Sequence, residues 1–421
     1  MRPVISSSPP LWMATTVTRW LGPRRYFYQP NCDDPVRSLA IVSSRLARPF
    51  YNQLNWFAKL KQALSFCQEN NNVLLTSAKT TTDQFLRAYL QKHRLRLAST
   101  TICRTLKQWQ ARLNNGTVLK PLECWISPPT ASTNVTHYTL ERLPLRDRLL
   151  IGGAHEVCVI DCRNKSKTHQ LLNLRKQKIR FFECPMDADI ENTLDDHCSH
   201  QNKANIPFWA GQAGTLAHWT RAIDGPWPRQ SEASWYNQLI HGQREADHSA
   251  LATLCNIITQ QKAFSSHRAI RGGSKVVCLT ATPLERWKDL NIYRPHLRRW
   301  DFCPYGILLS PSVLGRLPIK RVRYGDERLW NSLTPEERPF FQAIDCKVDW
   351  KVEQEYRIVG DLSLRSLKKS DLVVFTQTAA EANALQTHSS WPVVPFEYLA
   401  GLARIEPSTC LLYTSPSPRD S

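Results

Sequence analysis

The first half of the chain is most constrained by a recurrence. A short apolar run, a polar loop and an amphipathic helix follow one another repeatedly. Ser38-Leu39-Ala40-Ile41-Val42 is such a run, closing on Ser43, Ser44 and Arg45. Over residues 50–67, Leu54, Phe57, Leu60 and Leu64 then return at helical spacing. A second run, Val73-Leu74-Leu75, ends in a hydroxyl-rich loop containing Thr80, Thr81 and Thr82, which opens a helix predicted over residues 84–92 with Asp83 as its cap. Strand, loop and helix in that order predict a parallel sheet with crossover helices, an α/β domain. The pattern continues through Trp125-Ile126, an apolar strand over residues 155–160, a helix over 169–175 and a short strand over 179–182.

Ligands of open α/β sheets sit at the carboxyl ends of strands, where helix N-termini offer free backbone donors. That places Ser43, Ser44, Arg45, Thr80, Thr81 and Thr82 as candidate nucleotide-binding residues, since hydroxyls and a guanidinium suit a phosphate or a ribose. Glycine is scarce in these loops, so they match neither a Walker loop nor a dinucleotide fingerprint.

The formal charge of +19 favours anionic partners, with basic residues concentrated in 87–112 and 163–180. A nucleotide or nucleic acid held through those segments is the first expectation, an acidic protein target or antitoxin the second. No apolar run is long enough to cross a bilayer, so no membrane partner is expected and the expected location is cytoplasmic. The thirteen cysteines form neither a CxxC pair nor a dense framework, which fits reduced thiols. The cluster His197-Cys198-Ser199-His200, with Cys184 upstream, lacks the ligand set zinc requires, and no metal site is expected.

Residues 1–37 are expected to be an N-terminal tail, Ser/Pro-rich at the start, with Met13 as an alternative first residue. Residues 186–213 are polar and read as a linker. Residues 406–421 contain Cys410 to Asp420, which resembles the translation of a sequencing-library adapter, and are expected to lie outside the fold.

In the second half, strand candidates with one or two leading helices predict a mixed α+β domain over residues 214–405 around a split antiparallel sheet. On the segment around residues 214–221, His218 and Thr220 fall on one strand face, and Trp219 and Arg221 on the other. Residues 350–361 read as a strand that projects Glu353, Glu355 and Arg357 from one face. Alone, this pattern fits a solvated strand face better than a ligand cleft.

Two resemblances bear on these readings. Ala40-Ile41-Val42-Ser43-Ser44-Arg45, with residues 146–168, resembles the first strand, phosphate loop and later motif of the SLOG superfamily, which includes DNA-processing protein A. It covers residues 38–185, with Ser43 where a glycine is usual and Lys165-Ser166-Lys167 in place of a Ser-Gly pair. It implies a Rossmann-like domain that senses a nucleotide or nucleic acid. Further on, His218-Trp219-Thr220-Arg221, residues 276–280, Tyr305-Gly306-Ile307, residues 322–326 and residues 350–357 together resemble the ADP-ribosyltransferase-like fold, nearest to bacterial domains related to the DarT toxins and abortive-infection proteins.

That likeness spans residues 215–392 and implies NAD as substrate. By it Glu355 is the catalytic candidate and Glu353 the alternative. His218 and Thr220 would contact the ribose, Arg221 or Arg271 the pyrophosphate, and Tyr305 would stack on nicotinamide. The combined expectation is a nucleotide sensor fused to an ADP-ribosyltransferase-like effector in phage defence or toxin–antitoxin function. The rivals are a non-catalytic nucleotide- or nucleic-acid-binding protein and, ranked last, a nucleotide-hydrolysing first domain.

Overall fold

The computed structural model describes residues 3–30, 37–114, 119–130, 140, 142–176, 178–183, 206–210, 214–267, 270–294, 299–344 and 349–400. Cys184, the His197–His200 cluster, most of the expected linker and the adapter-like end lie outside these residues. The chain forms two compact units, one of residues 1–190 and 225–247, the other of residues 191–224 and 248–421.

The first unit is built from β1 (Val4–Ser6), α1 (Val17–Leu21), β2 (Tyr26–Tyr28), β3 (Ser38–Ser43), α2 (Leu54–Glu69), β4 (Val73–Ser77), α3 (Thr81–Leu90), β5 (Arg96–Ile102), α4 (Leu106–Asn114), β6 (Glu123–Ile126), α5 (Leu145–Gly153), β7 (Glu156–Asp161), α6 (Lys167–Leu174), β8 (Ile179–Phe181) and α7 (Glu232–His241). Its eight-stranded sheet runs β1-β2-β6-β5-β4-β3-β7-β8. Neighbours from β6 through β8 are parallel, and β1 and β2 add an antiparallel edge. This is the mixed α/β, mostly parallel sheet of a Rossmann-like arrangement.

The alternation of β3 explains the layering. Leu39 and Ile41 point to one face, where Phe57, Leu60 and Leu64 of α2, Phe85 of α3 and Trp235 of α7 bury them. Ala40 and Val42 point to the other, under Val17 and Trp20 of α1, Leu149 of α5 and Leu171 of α6. Helices therefore cover both faces, as parallel strands apolar on both sides require.

The expected N-terminal tail is a correction. Trp12, Met13, Val17, Trp20 and Tyr26 are core residues, and β1 and β2 extend the sheet. A Cβ at position 152 would stand 2.2 Å from Cγ of Trp20, so glycine is what lets α1 lie against α5. The cap of α3 also differs from expectation. The side chain of Thr80 accepts from the Asp83 amide, so the helix starts at Thr81 and Asp83 lies in its first turn.

The second unit contains β9 (Leu216–Trp219), α8 (Ala250–Gln260), β10 (Lys262–Ala263), β11 (Val276–Thr280), α9 (Trp287–Leu290), β12 (Tyr293–Arg294), β13 (Arg299–Trp300), β14 (Gly306–Leu309), α10 (Pro311–Leu314), β15 (Ile319–Arg321), β16 (Arg323–Gly325), α11 (Glu327–Ser332), β17 (Phe341–Ala343), β18 (Glu355–Val359), β19 (Leu362–Ser363), β20 (Leu372–Thr376), α12 (Ala379–Gln386), β21 (Val393–Pro395) and α13 (Phe396–Ala400). Its main sheet runs β15-β18-β11-β9-β14-β20-β21, antiparallel except for β20 with β21.

One face of this sheet packs Leu216, Val277, Leu279, Ile307 and Ile358 under Leu254 and Ile257 of α8 and Leu385 of α12. The other packs Ala217, Trp219, Leu308 and Phe375 under Trp287 of α9 and Phe396 of α13. At Gly306 a Cβ would fall 2.2 Å from the His218 carbonyl oxygen, so a side chain there would push β14 off β9. Residues 350–361 are not one strand: Trp350–Glu353 is a 3-10 turn, Gln354 has φ 43°, and the strand begins at Glu355. Glu353 owes its orientation to that turn, not to strand alternation.

Candidate functional site

The register decides which predicted residues can act together. Thr280 stands opposite Glu355 on one side and opposite Ala217 on the other. Directly opposed residues of antiparallel strands share a face, and the face changes with each residue along a strand. Glu355, Arg357, Cys278 and Thr280 therefore share a face with Ala217 and Trp219; Arg221 lies two residues beyond β9, close enough to Glu353 to pull its pKa down. His218 points the other way, where its partner Ile307 is a core residue.

The hydrogen bonds agree. The Thr220 hydroxyl donates to Ala250 O (2.8 Å) at the start of α8, and the Tyr305 ring packs with the α8 side of the core. The single proton of Tyr305 Oη is shared between Glu381 Oε1 (3.0 Å) and Gln377 Oε1 (3.1 Å). His218 Nδ1 donates to Cys278 O (2.8 Å), and burial holds its pKa below the usual imidazole value against the pull of that carbonyl. The expectation that His218, Thr220 and Tyr305 share a cleft with Glu355 is thus corrected: these three lie on the opposite face. Arg271 is taken up elsewhere, with its two terminal nitrogens on Glu327 (2.6 and 2.7 Å) and its guanidinium 4.3 Å above the Trp330 ring.

What the structure does assemble is a charged cluster around the start of β18. Arg357, 1% exposed, donates from Nε to Glu355 Oε1 (2.8 Å) and from Nη2 to Glu355 Oε2 (2.9 Å). Its remaining donors reach Pro339 O (2.9 Å), Phe341 O (2.8 Å) and Gln342 Oε1 (2.8 Å). Glu355 is therefore a fixed carboxylate whose two oxygens are both engaged.

Glu353 differs. Among the described residues no hydrogen-bond donor meets its carboxylate. Burial first, then the Glu355 and Asp301 carboxylates, push its pKa up to about 7, against the opposing pull of Arg221 and Arg294. A carboxyl poised near neutral pH beside fixed charges has the protonation behaviour of an acid–base group.

The turn that carries Glu353 is held by the end of β11. The Thr280 hydroxyl donates to Glu353 O, the Thr282 hydroxyl donates to Val352 O (2.6 Å), and the Ala281 amide donates to Gln354 O (3.2 Å). Tyr324 Oη accepts the Glu355 amide (3.0 Å), and burial raises its phenol pKa. Burial also pushes the Cys278 thiol up to about 12, with Glu355 adding to the shift, so this cysteine stays protonated. Beside the cluster, Arg294 pairs with Asp301 (3.2 Å) and lies 5.4 Å from the Trp350 ring centre. Arg221 is exposed. Sequence reasoning missed Thr280, Thr282, Arg294, Asp301 and Tyr324. The alternating hydroxyls of Thr280-Ala281-Thr282 at a strand end were the available signal for the first two.

In the first unit the strand order reverses at β3, with β4 to one side and β7 to the other, which is the topological switch point. The Ser43 hydroxyl donates to Ser44 O (2.6 Å) and accepts from Trp56 Nε1 (2.8 Å); the Ser44 hydroxyl accepts the Arg163 amide (2.9 Å). Both serines thus brace the loops after β3 and β7. Thr80 is consumed as the α3 cap, while Thr81 is exposed and Thr82 half-buried in the first turn. Asp83 accepts from the Lys79 amide (3.1 Å) and from Arg87 Nε (3.1 Å). Around these carboxyl-end loops, Arg45, Arg48, Lys79, Arg104, Arg163 and Lys165 are all exposed.

Among the described residues no group of three or more His, Cys, Asp or Glu side chains is placed to hold a metal, and no helix is long and apolar enough to cross a membrane. No family model, curated protein or solved structure matches the chain.

Proposed function

We propose that the second unit cleaves the bond between nicotinamide and ribose in NAD and transfers ADP-ribose, with Glu353 as the reacting carboxylate. The observation that carries this reading is the Glu353 carboxyl, poised near pH 7 beside the fixed Glu355–Arg357 pair and exposed Arg221. Departure of nicotinamide leaves positive charge on the ribose, and an ionised carboxylate close by stabilises it. Glu353, when ionised, supplies that charge or accepts a proton from the incoming nucleophile. Glu355 acts through position, holding negative charge beside Glu353 and keeping its pKa high. Arg221, exposed near Glu353, is a cation able to meet a pyrophosphate. On this reading Glu353 and Arg221 are the groups that meet NAD, and His218, Thr220 and Tyr305, on the opposite face, take no part.

We also infer that the first unit binds an anionic nucleotide at its switch point, in keeping with the SLOG-like motifs. The exposed cations of the carboxyl-end loops support this reading. A non-catalytic nucleic-acid-binding role draws on the same cations and is the second reading. The test of the enzyme reading is incubation of the full chain with NAD, following nicotinamide release and a mass shift of ADP-ribose on protein and nucleic-acid acceptors. Release with transfer supports it, and neither product at micromolar enzyme defeats it.

A further inference from the structure

One pair of metal-type ligands belongs to neither of these sites. His93, in the turn after α3, and His241, the last residue of α7, face each other within the first unit with their Nε2 atoms 3.3 Å apart. Tyr89 stacks on His93 with ring centres 3.9 Å apart and on His241 at 5.8 Å, which fixes the orientation of both imidazoles. Two nitrogens bound to one tetrahedral ion through bonds of ~2.0–2.1 Å stand ~3.3–3.4 Å apart. The observed separation is the edge of such a tetrahedron.

Both rings are half-buried. The pair offers imidazole nitrogen with no carboxylate beside it among the described residues. That donor set suits zinc, copper or nickel, and not the oxygen-seeking magnesium or calcium ions.

The position gives such an ion a consequence. Residues 225–247 belong to the first unit although the chain on either side of them belongs to the second. Within that segment, α7 meets α3 through the Asn237 amide, which donates to Ala88 O (2.7 Å), and through Tyr236 on Phe85 at 4.3 Å between ring centres. We propose that His93 and His241 form a two-ligand site for a divalent transition-metal ion, with solvent completing its coordination, and that the ion fastens α7 to the end of α3.

The test is calorimetric titration of the EDTA-stripped full chain with zinc chloride, with copper(II) absorption as a second probe. One zinc site should appear that raises the melting temperature by roughly 3 °C or more at saturating metal. His93→Ala and His241→Ala should each weaken that site by roughly tenfold or more, and the double variant should be no weaker than either single one. His93→Gln, which keeps a polar side chain of similar reach, should also lose it while circular dichroism reports an unchanged fold. Absence of binding up to millimolar zinc, or a zinc site untouched by both alanine variants, overturns the proposal and leaves a histidine–histidine hydrogen bond only. The readout does not depend on NAD chemistry, so this idea and the enzyme reading stand or fall separately.

Discussion

Arg357 and Glu355, two residues apart on β18, form a buried bidentate pair, and Arg357 is further held by two backbone carbonyls and Gln342. Removing one partner of such a pair strands a buried charge. Arg357→Met is expected to cost about 3–5 kcal/mol of stability, and the double variant Arg357→Met with Glu355→Leu clearly less, because no lone charge remains. Urea unfolding of the three proteins measures both values. Equal losses in the single and double variants would contradict the account of the pair.

The same cluster sets a pH dependence. The folded-state pKa of Glu353, about 7, lies above its unfolded value of 4.5. The fold therefore binds a proton more tightly than the unfolded chain. Stability from this group is fully present below about pH 4.5 and is lost as pH rises through about 7. Glu353→Gln, which cannot ionise, should be more stable than the parent at pH 8 by about 1–3 kcal/mol and nearly equal to it at pH 4. Chemical unfolding at the two pH values gives the comparison, and a difference independent of pH would argue against the raised pKa.

The N-terminal segment should behave as core. Trp20 packs on Gly152, and Trp12, Met13 and Val17 are buried with it. Trp20→Ala is expected to destabilise the first unit by about 3–5 kcal/mol. Gly152→Ala should also destabilise, because its new methyl would meet the indole. Thermal melts of these variants check this; parent-like melting of Trp20→Ala would return the segment to the status of a tail.

Anion binding by the first unit should show in salt dependence. If exposed Arg45 and Arg104 contact phosphates, then Arg45→Gln and Arg104→Gln should each reduce the slope of log affinity against log salt by about 1 for an oligonucleotide ligand. Fluorescence anisotropy at several salt concentrations measures it. Unchanged slopes would remove these residues from the interface.

The parts of the fold legible in the sequence are those where local pattern and burial coincide. The runs at β3 and β4 are apolar on both faces because helices cover both sides of the sheet, and the sequence shows this directly. The core role of Trp12, Met13, Val17, Trp20 and Tyr26 is hidden in the sequence, because Ser and Pro around them mask the few large side chains that enter the core. At residues 350–354, alternation of charged and apolar side chains imitated a strand, although Gln354 sits at positive φ between a 3-10 turn and β18. The opposition of His218 and Glu355 was beyond reach. Each strand's alternation is visible alone, but the face it presents depends on inter-strand register, which no local pattern encodes. Likewise Thr280 and Asp301 join the site through tertiary approach across long stretches of sequence.

The proposed chemistry belongs to Glu353 and the sheet face that carries Glu355. Its most direct test is the rate of nicotinamide release from NAD, measured from pH 5 to pH 9, for the parent chain, Glu353→Gln and His218→Ala. The parent rate should rise with pH and level off above about 7, Glu353→Gln should lose roughly 100-fold or more, and His218→Ala should retain the profile. A parent that releases no nicotinamide, or a Glu353→Gln variant as active as the parent, would contradict it.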